Sequence, residues 1–255
     1  DAKLSKNTSE AVNRFAEGVP HIDTYIAVLP TASELMADKL PSGGAGDSQK
    51  DWLRVNTEVL QGENTTVVDV FEAMETMAKE TQLYYRTDHH WTTEGAYTAF
   101  CEIAVSMGLD ADSIKWKETV VRNDFQGTLM ANSGYYSGTK DEITIYEPEL
   151  SEFLYVVEHV EEQTKTASVY SSEGLESADS YQVFFGGNSP HIRITTNAES
   201  KEKLIIFKDS YANALVPFLL PYFAEIEMID ARYYSGNLDG VMIDEDITDV
   251  LFLYN

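Results

Sequence analysis

The run Lys203-Leu204-Ile205-Ile206-Phe207 passes without a spacer into Lys208-Asp209-Ser210, and a helical pattern continues over residues 214–223. An apolar run with no polar alternation suits a strand buried on both faces, the condition of a central strand in a parallel sheet. Helices must then cover both sides of that sheet, which points to an α/β fold.

The rest of the chain keeps this alternation. Residues 9–17 have helical spacing, 22–29 read as a strand closed by Pro30, and a helix is expected over 32–40. A flexible loop over 41–48, rich in Gly and Ser, leads to a helix at 50–61, a strand at 65–70 and a helix at 71–80. Thr92 or Thr93 can cap a further helix that runs to about Met107. Strands at 225–231 and 250–254 complete the series. Between them the character changes: short strands are expected at 143–146, 153–160, 166–170, 181–185 and 191–195, with an exposed acidic loop at 171–180. The expectation is one α/β domain over 1–255 carrying a β-rich insertion or lobe at 114–197, without internal repeats.

Charge limits the partners. The 18 Lys plus Arg face 43 Asp plus Glu, a formal net charge of −25, so nucleic acid and anionic membrane surfaces are disfavoured. Cys101 is the only cysteine, which excludes an intrachain disulfide and a cysteine-built zinc or iron–sulfur site. No apolar run approaches the ~20 residues of a membrane-spanning helix. The chain opens on Asp1 rather than Met, and the expectation is a protein whose leader has been removed.

Two local features carry chemistry. A serine at a strand-to-helix turn lies at the carboxyl edge of the sheet, where open α/β folds place ligands, with its N–H at the start of a helix. Ser210 therefore suits a nucleophile, although a serine at such a turn is more commonly a helix cap. Asp88 and His90 alternate by two, so a carboxylate can orient an imidazole that activates a serine; the same pair also suits a structural histidine. Asp88, His89, His90 and Asp209 offer a third arrangement, a metal site. His21, His159 and His191 lie in or beside strands and read as structural.

The stretch Tyr84-Tyr85-Arg86-Thr87-Asp88-His89-His90-Trp91-Thr92 with Glu94-Gly95-Ala96-Tyr97, the stretch Asp124-Phe125-Gln126-Gly127-Thr128, and Lys208-Asp209-Ser210-Tyr211-Ala212-Asn213 together resemble the bacterial DHHW protein family. That family is similar to the SGNH-hydrolase-like proteins of alginate O-acetylation. The resemblance implies an SGNH-hydrolase-like, flavodoxin-like sheet, mostly parallel with helices on both faces, in which the motif order is circularly permuted. It puts Ser210 in the nucleophile's place, His90 in the base's and Asp88 in that of the orienting acid. Asn255 and Arg232 become candidates for oxyanion or substrate contacts. The usual glycine before Asp-Ser is here Lys208.

The resemblance implies an extracytoplasmic serine esterase or O-acyltransferase, with acetyl as the acyl group and a cell-envelope or secreted polysaccharide as the carrier. Such an enzyme would need no cofactor and no resident metal. Its partners would be an acylated carbohydrate or another ester, with a membrane-anchored protein as a source of acyl groups. Trp91, Tyr211, Tyr233 and Tyr234 would serve sugar stacking or the core. A catalytically silent scaffold that binds glycan or an envelope partner is the alternative.

Overall fold

A computed structural model describes residues 2–44, 46–57, 59–60, 62–134, 136–244 and 246–255. Ala45 in the expected 41–48 loop and Glu58 and Gln61 in the expected 50–61 helix lie outside the described residues. The strands are β1 (Asp23–Val28), β2 (Thr65–Val68), β3 (Trp116–Phe125), β4 (Asp141–Pro148), β5 (Tyr155–His159), β6 (Thr164–Thr166), β7 (His191–Thr196), β8 (Lys203–Lys208), β9 (Glu225–Ile229) and β10 (Asp249–Tyr254).

Eight of them form one sheet in the order β2-β1-β10-β8-β9-β7-β5-β6. The β2-to-β9 part is parallel throughout; β7, β5 and β6 continue it in antiparallel pairing. Counted from β8 as the first strand, the parallel part runs 2-1-3-4-5, the flavodoxin-like order. The crossovers diverge at β8, with β9 on one side and β10 on the other, so the carboxyl end of β8 is a switch point where ligands are expected. The fold is SGNH-like α/β with the serine strand late in the chain.

Strand periodicity sorts the core into two layers. Leu204 and Ile206 of β8, Leu251 and Leu253 of β10, and Ile226 and Met228 of β9 face one side. There they meet Ala96, Ala99, Phe100 and Ile103, the i, i+3, i+4, i+7 stripe of the Thr93–Ser106 helix, and the fully buried Ala212–Leu219 helix. Ile205 and Phe207, Val250 and Ile229 face the other side, against Phe15 of the Ala2–Gly18 helix and Leu238, Val241 and Met242 of the Leu238–Asp244 helix. Both faces are covered, as the unbroken apolar run of β8 requires.

Several sequence expectations are corrected. Residues 181–185 form a 3-10 turn at Ser180–Val183, not a strand, because Tyr181, Val183, Phe184 and Phe185 are all buried and no alternation to solvent remains. The 166–170 strand is displaced to Thr164–Thr166, leaving a lone bridge between Tyr170 and Phe184. The 32–40 helix is one turn, Ala32–Leu35, followed by a 3-10 turn. Strand β3 was not expected. Among the described residues it pairs only with β4; it is bulged between Val120 and Arg122 and again before Phe125, and carries Lys117, Glu118, Arg122 and Asp124, which mask the apolar alternation. Within 114–197, β3 and β4 thus form a separate ribbon, while β5, β6 and β7 extend the main sheet. Among the described residues no helix is long and apolar enough to cross a membrane.

The Thr93–Ser106 helix begins just after the Asp88-His89-His90-Trp91 segment. Thr92 caps it by accepting the Gly95 N–H at 3.2 Å. A Cβ on Gly95 would lie 2.4 Å from the Leu83 carbonyl oxygen and 3.1 Å from the Trp91 Cβ. Gly95→Ala is therefore expected to cost about 1–3 kcal/mol, seen as a fall in Tm of about 2–4 °C per kcal/mol in a thermal melt. Gly18→Ala, where an added Cβ meets nothing within 4 Å, is the control; equal Tm values for the two variants would contradict the packing described.

Candidate active site

β8 ends at Lys208, and Asp209, Ser210 and Tyr211 make the turn into the Ala212–Leu219 helix. The Asp209 carboxylate organises this turn: Oδ1 accepts the Tyr211 N–H at 2.9 Å and Oδ2 accepts the Asn255 N–H at 2.8 Å. Burial raises its pKa, partly offset by those two donors and by Arg232 and Lys208. Ser210 does not cap the helix. The N-cap position is Tyr211, without a side-chain cap, and the Ser210 hydroxyl turns instead to His90.

The second element is a tight loop. Tyr84 and Trp91 form an antiparallel bridge, Tyr85 N–H donates to the His90 carbonyl at 3.2 Å, and Thr92 N–H donates to that of Leu83 at 2.8 Å. Asp141, at the start of β4, accepts the Arg86 N–H at 3.1 Å and, on its other oxygen, the Thr87 N–H at 2.8 Å and hydroxyl at 2.7 Å. With 86 and 87 fixed, Asp88 points inward and is 1% exposed.

Asp88 receives four hydrogen bonds. Oδ1 accepts the His90 N–H at 2.9 Å and His90 Nδ1–H at 2.6 Å; Oδ2 accepts the Thr128 N–H at 2.8 Å and its hydroxyl at 2.7 Å. Burial opposes ionisation, but the bonds from His90 and Thr128 outweigh it and hold the carboxyl well below the usual carboxylate range. An ionised Asp88 is an acceptor only, so Nδ1 of His90 carries the proton and Nε2 is the free acceptor. Nε2 lies 2.8 Å from Ser210 Oγ, and the hydroxyl donates to it. Serine, histidine and aspartate thus form one hydrogen-bonded line whose serine and histidine stand 120 positions apart in the chain.

Residues that sequence reasoning gave no role complete the arrangement. Tyr181 stacks on the His90 ring, with centroids 3.8 Å apart and planes within 6°. Nothing in its local sequence signals this, since the contact comes from a turn 91 positions away. Gly127 leaves space for Asp88: a Cβ there would fall 2.3 Å from the Asp88 Cβ. Gly127 and Thr128 stand in the Asp124-to-Thr128 stretch, so the signal was visible as a motif without an assigned chemistry.

Two further bonds join the loop to the serine turn. Trp91 Nε1–H donates to the Tyr211 carbonyl at 3.1 Å, and the Tyr211 hydroxyl donates to that of His89. Trp91 and Tyr211 are both buried, so they belong to the core and cannot stack a sugar. Tyr234 packs edge-on against His191, while Tyr233 is exposed.

The other candidates are engaged elsewhere. The Asn255 amide donates to the Leu29 carbonyl at 3.0 Å, although its backbone N–H supports Asp209. The Arg232 guanidinium donates twice to Asp230, at 2.8 and 2.6 Å. Neither side chain is directed to an oxyanion role by these contacts. Ligand atoms of Asp88, His89 and His90 lie within 4.8 Å of one another, a possible cation cluster among the described residues; Asp209 is not one of them. A cation there would have to displace hydrogen bonds that already occupy both Asp88 oxygens and both His90 nitrogens.

The sequence matches the DHHW protein family over residues 4–229. Among solved structures, a DHHW family protein from Eubacterium siraeum is similar with a TM-score of 0.83 and 29% identity, over 98% of this chain and 83% of that one. PatB1 of Bacillus cereus, in a structure with a sulfonyl adduct, is similar with a TM-score of 0.77 and 20% identity, over 99% and 87%. The O-acetyltransferase domain of Pseudomonas putida AlgJ is similar with 0.57 and 13%, over 99% and 82%. A comparison with curated proteins finds no match. The match over most of its length makes this chain a member of the DHHW protein family.

Proposed function

We propose that this protein is a serine-dependent acyl-transfer enzyme, an esterase or O-acyltransferase for acetyl groups on cell-envelope or secreted polysaccharide, working outside the cytoplasm. The observation that carries the reading is the Ser210–His90–Asp88 line, with contacts of 2.8 and 2.6 Å at the carboxyl end of β8. The similar folds of the AlgJ O-acetyltransferase domain and of PatB1 with its sulfonyl adduct support it.

In this reading Ser210 Oγ attacks the ester carbonyl carbon as its proton passes to His90 Nε2. Asp88 stabilises the imidazolium and keeps the ring in register. The Ser210 N–H, paired with no acceptor among the described residues, is available to the carbonyl oxygen as it gains charge. Collapse breaks the bond to the alcohol, which takes the proton back from His90 and leaves an acyl-serine. Water as the second acceptor makes the protein an esterase; a sugar hydroxyl makes it a transferase, supplied with acyl groups by a membrane-anchored partner. The acidic surface favours a neutral or acetylated glycan over a polyanion.

Ser210→Ala is expected to lose 4-nitrophenyl acetate hydrolysis by about a thousandfold or more, and to lose the mass increment that phenylmethanesulfonyl fluoride adds to the wild type. Equal rates for the two proteins would leave a binding scaffold in place of an enzyme.

Asp88→Asn removes the charge that fixes the His90 tautomer, and a loss of at least about a hundredfold in kcat is expected. A linked stability effect has a definite sign. Because the folded Asp88 pKa is depressed, its contribution is present above the unfolded value near ~3.9 and disappears as pH falls through the folded one. The gap in unfolding free energy between wild type and Asp88→Asn should therefore be widest above about pH 5 and narrow toward pH 2, measured by denaturant melts. A gap that widens on acidification would contradict it.

A further inference from the structure

Lys208 takes no part in the acyl transfer itself, yet it immediately precedes the Asp209-Ser210 turn and is 0% exposed. Its amine donates to the Asn213 side-chain oxygen at 2.8 Å and to that of Asn188 at 3.3 Å, and lies 3.8 Å from Asp230 Oδ2. Asn213 in turn donates its amide N–H to the Asn188 oxygen at 3.2 Å. An ammonium can only donate, so it dictates that both carboxamides turn their oxygens inward. Three segments meet on one charge: the loop before β7, the helix after Ser210 and the turn after β9.

The charges around that point are balanced. Asp209 adjoins Lys208 in the chain; Asp230 and its partner Arg232 approach from the turn after β9; Asn188 and Asn213 are neutral. Two cations face two carboxylates. Remove the lysine charge and the cluster becomes negative beneath the serine, in a molecule that already carries −25. A negative field opposes the charge that develops on the reacting oxygens.

We infer that Lys208 is a positioning residue for Ser210, its buried ammonium fixing the Asn188 and Asn213 carboxamides and offsetting Asp209 and Asp230 behind the nucleophile. The inference rests on the reading of Ser210 as the nucleophile. It gives the site an alkaline limit of its own. Burial, helped by Arg232 and opposed by Asp230 and Asp209, lowers the Lys208 pKa to about 8. Tyr254, on neighbouring β10, does not titrate in that range, because burial and then Asp209 push it up to about 12.

The test is the rate at which phenylmethanesulfonyl fluoride labels Ser210, monitored by intact mass from pH 6 to pH 10. Labelling forms the Oγ–S bond and breaks S–F, with the serine proton passing to His90 and fluoride leaving, so no glycan is needed. The wild-type rate should fall with a midpoint near pH 8. Asn213→Asp sets a carboxylate on the amine, favours the charged form, and should move that midpoint up by about one unit or more. Lys208→Met should label about tenfold or more slowly at pH 7 and lose the alkaline fall; if it does not fold, Asn213→Asp and the wild-type profile still decide. A rate that stays level to pH 10, or a midpoint that Asn213→Asp leaves in place, overturns the inference. Absence of any Ser210 labelling would instead sink the nucleophile reading.

Discussion

The hydrogen bond from Ser210 Oγ to His90 Nε2 joins two segments 120 positions apart, and a bond of that kind survives only if both ends are held by something else. The serine end is fixed by β8, a central strand buried on both faces, and by the carboxylate of Asp209 closing the turn. The histidine end lies in a loop. It is held by the Tyr84–Trp91 bridge and by Trp91 and Tyr211, whose two bonds run in opposite directions between the loop and the turn. Burying the indole ring of Trp91 supplies apolar stabilisation while its N–H is satisfied by a carbonyl, so the tryptophan fixes distance as well as packing.

The ribbon of β3 and β4 acquires a purpose from this arrangement. β3 leads into Gly127 and Thr128, which approach and hydrogen-bond Asp88; β4 begins at Asp141, which holds Arg86 and Thr87. Both ends of one ribbon therefore close on the same short loop. A buried aspartate is stable as an anion only when its lone pairs are filled, and four donors fill those of Asp88. Its ionised state fixes the His90 tautomer, and the tautomer decides which nitrogen faces the serine. The proton arrangement at the site thus depends on a ribbon whose first strand, β3, is half exposed.

Legibility in the sequence tracked the physics of each element. β8 and β10 were readable because strands buried on both faces need continuous apolar residues, and the Asp88, His90 and Ser210 types were readable because their chemistry is specific. β3 was not, since a ribbon with a wet face tolerates charge at most positions. The 181–185 segment misled for the opposite reason: β-prone aromatic and branched residues were there, but a single turn buries them by facing the core from several sides. Tyr181 on His90 and Thr128 on Asp88 are tertiary contacts with no local pattern. At Asn255 the backbone N–H supports Asp209 while the side-chain amide serves Leu29, a division of labour that residue type alone does not signal.

The acidity of the chain bears on the site in a way that composition alone does not reveal. A net charge of −25 is harmless on a hydrated surface, where screening confines each charge to roughly 8–10 Å. It matters at the end of β8, where Asp88 and Asp230 are buried and Asp209 is half-buried, so that water screens them poorly. Each of these carboxylates has its own local answer: His90 and Thr128 for Asp88, backbone N–H groups for Asp209, Arg232 and Lys208 for Asp230. A chain with 18 basic residues puts two of them here, one fully buried. Their position at the serine turn, and not their number, keeps the site from inheriting the charge of the molecule around it.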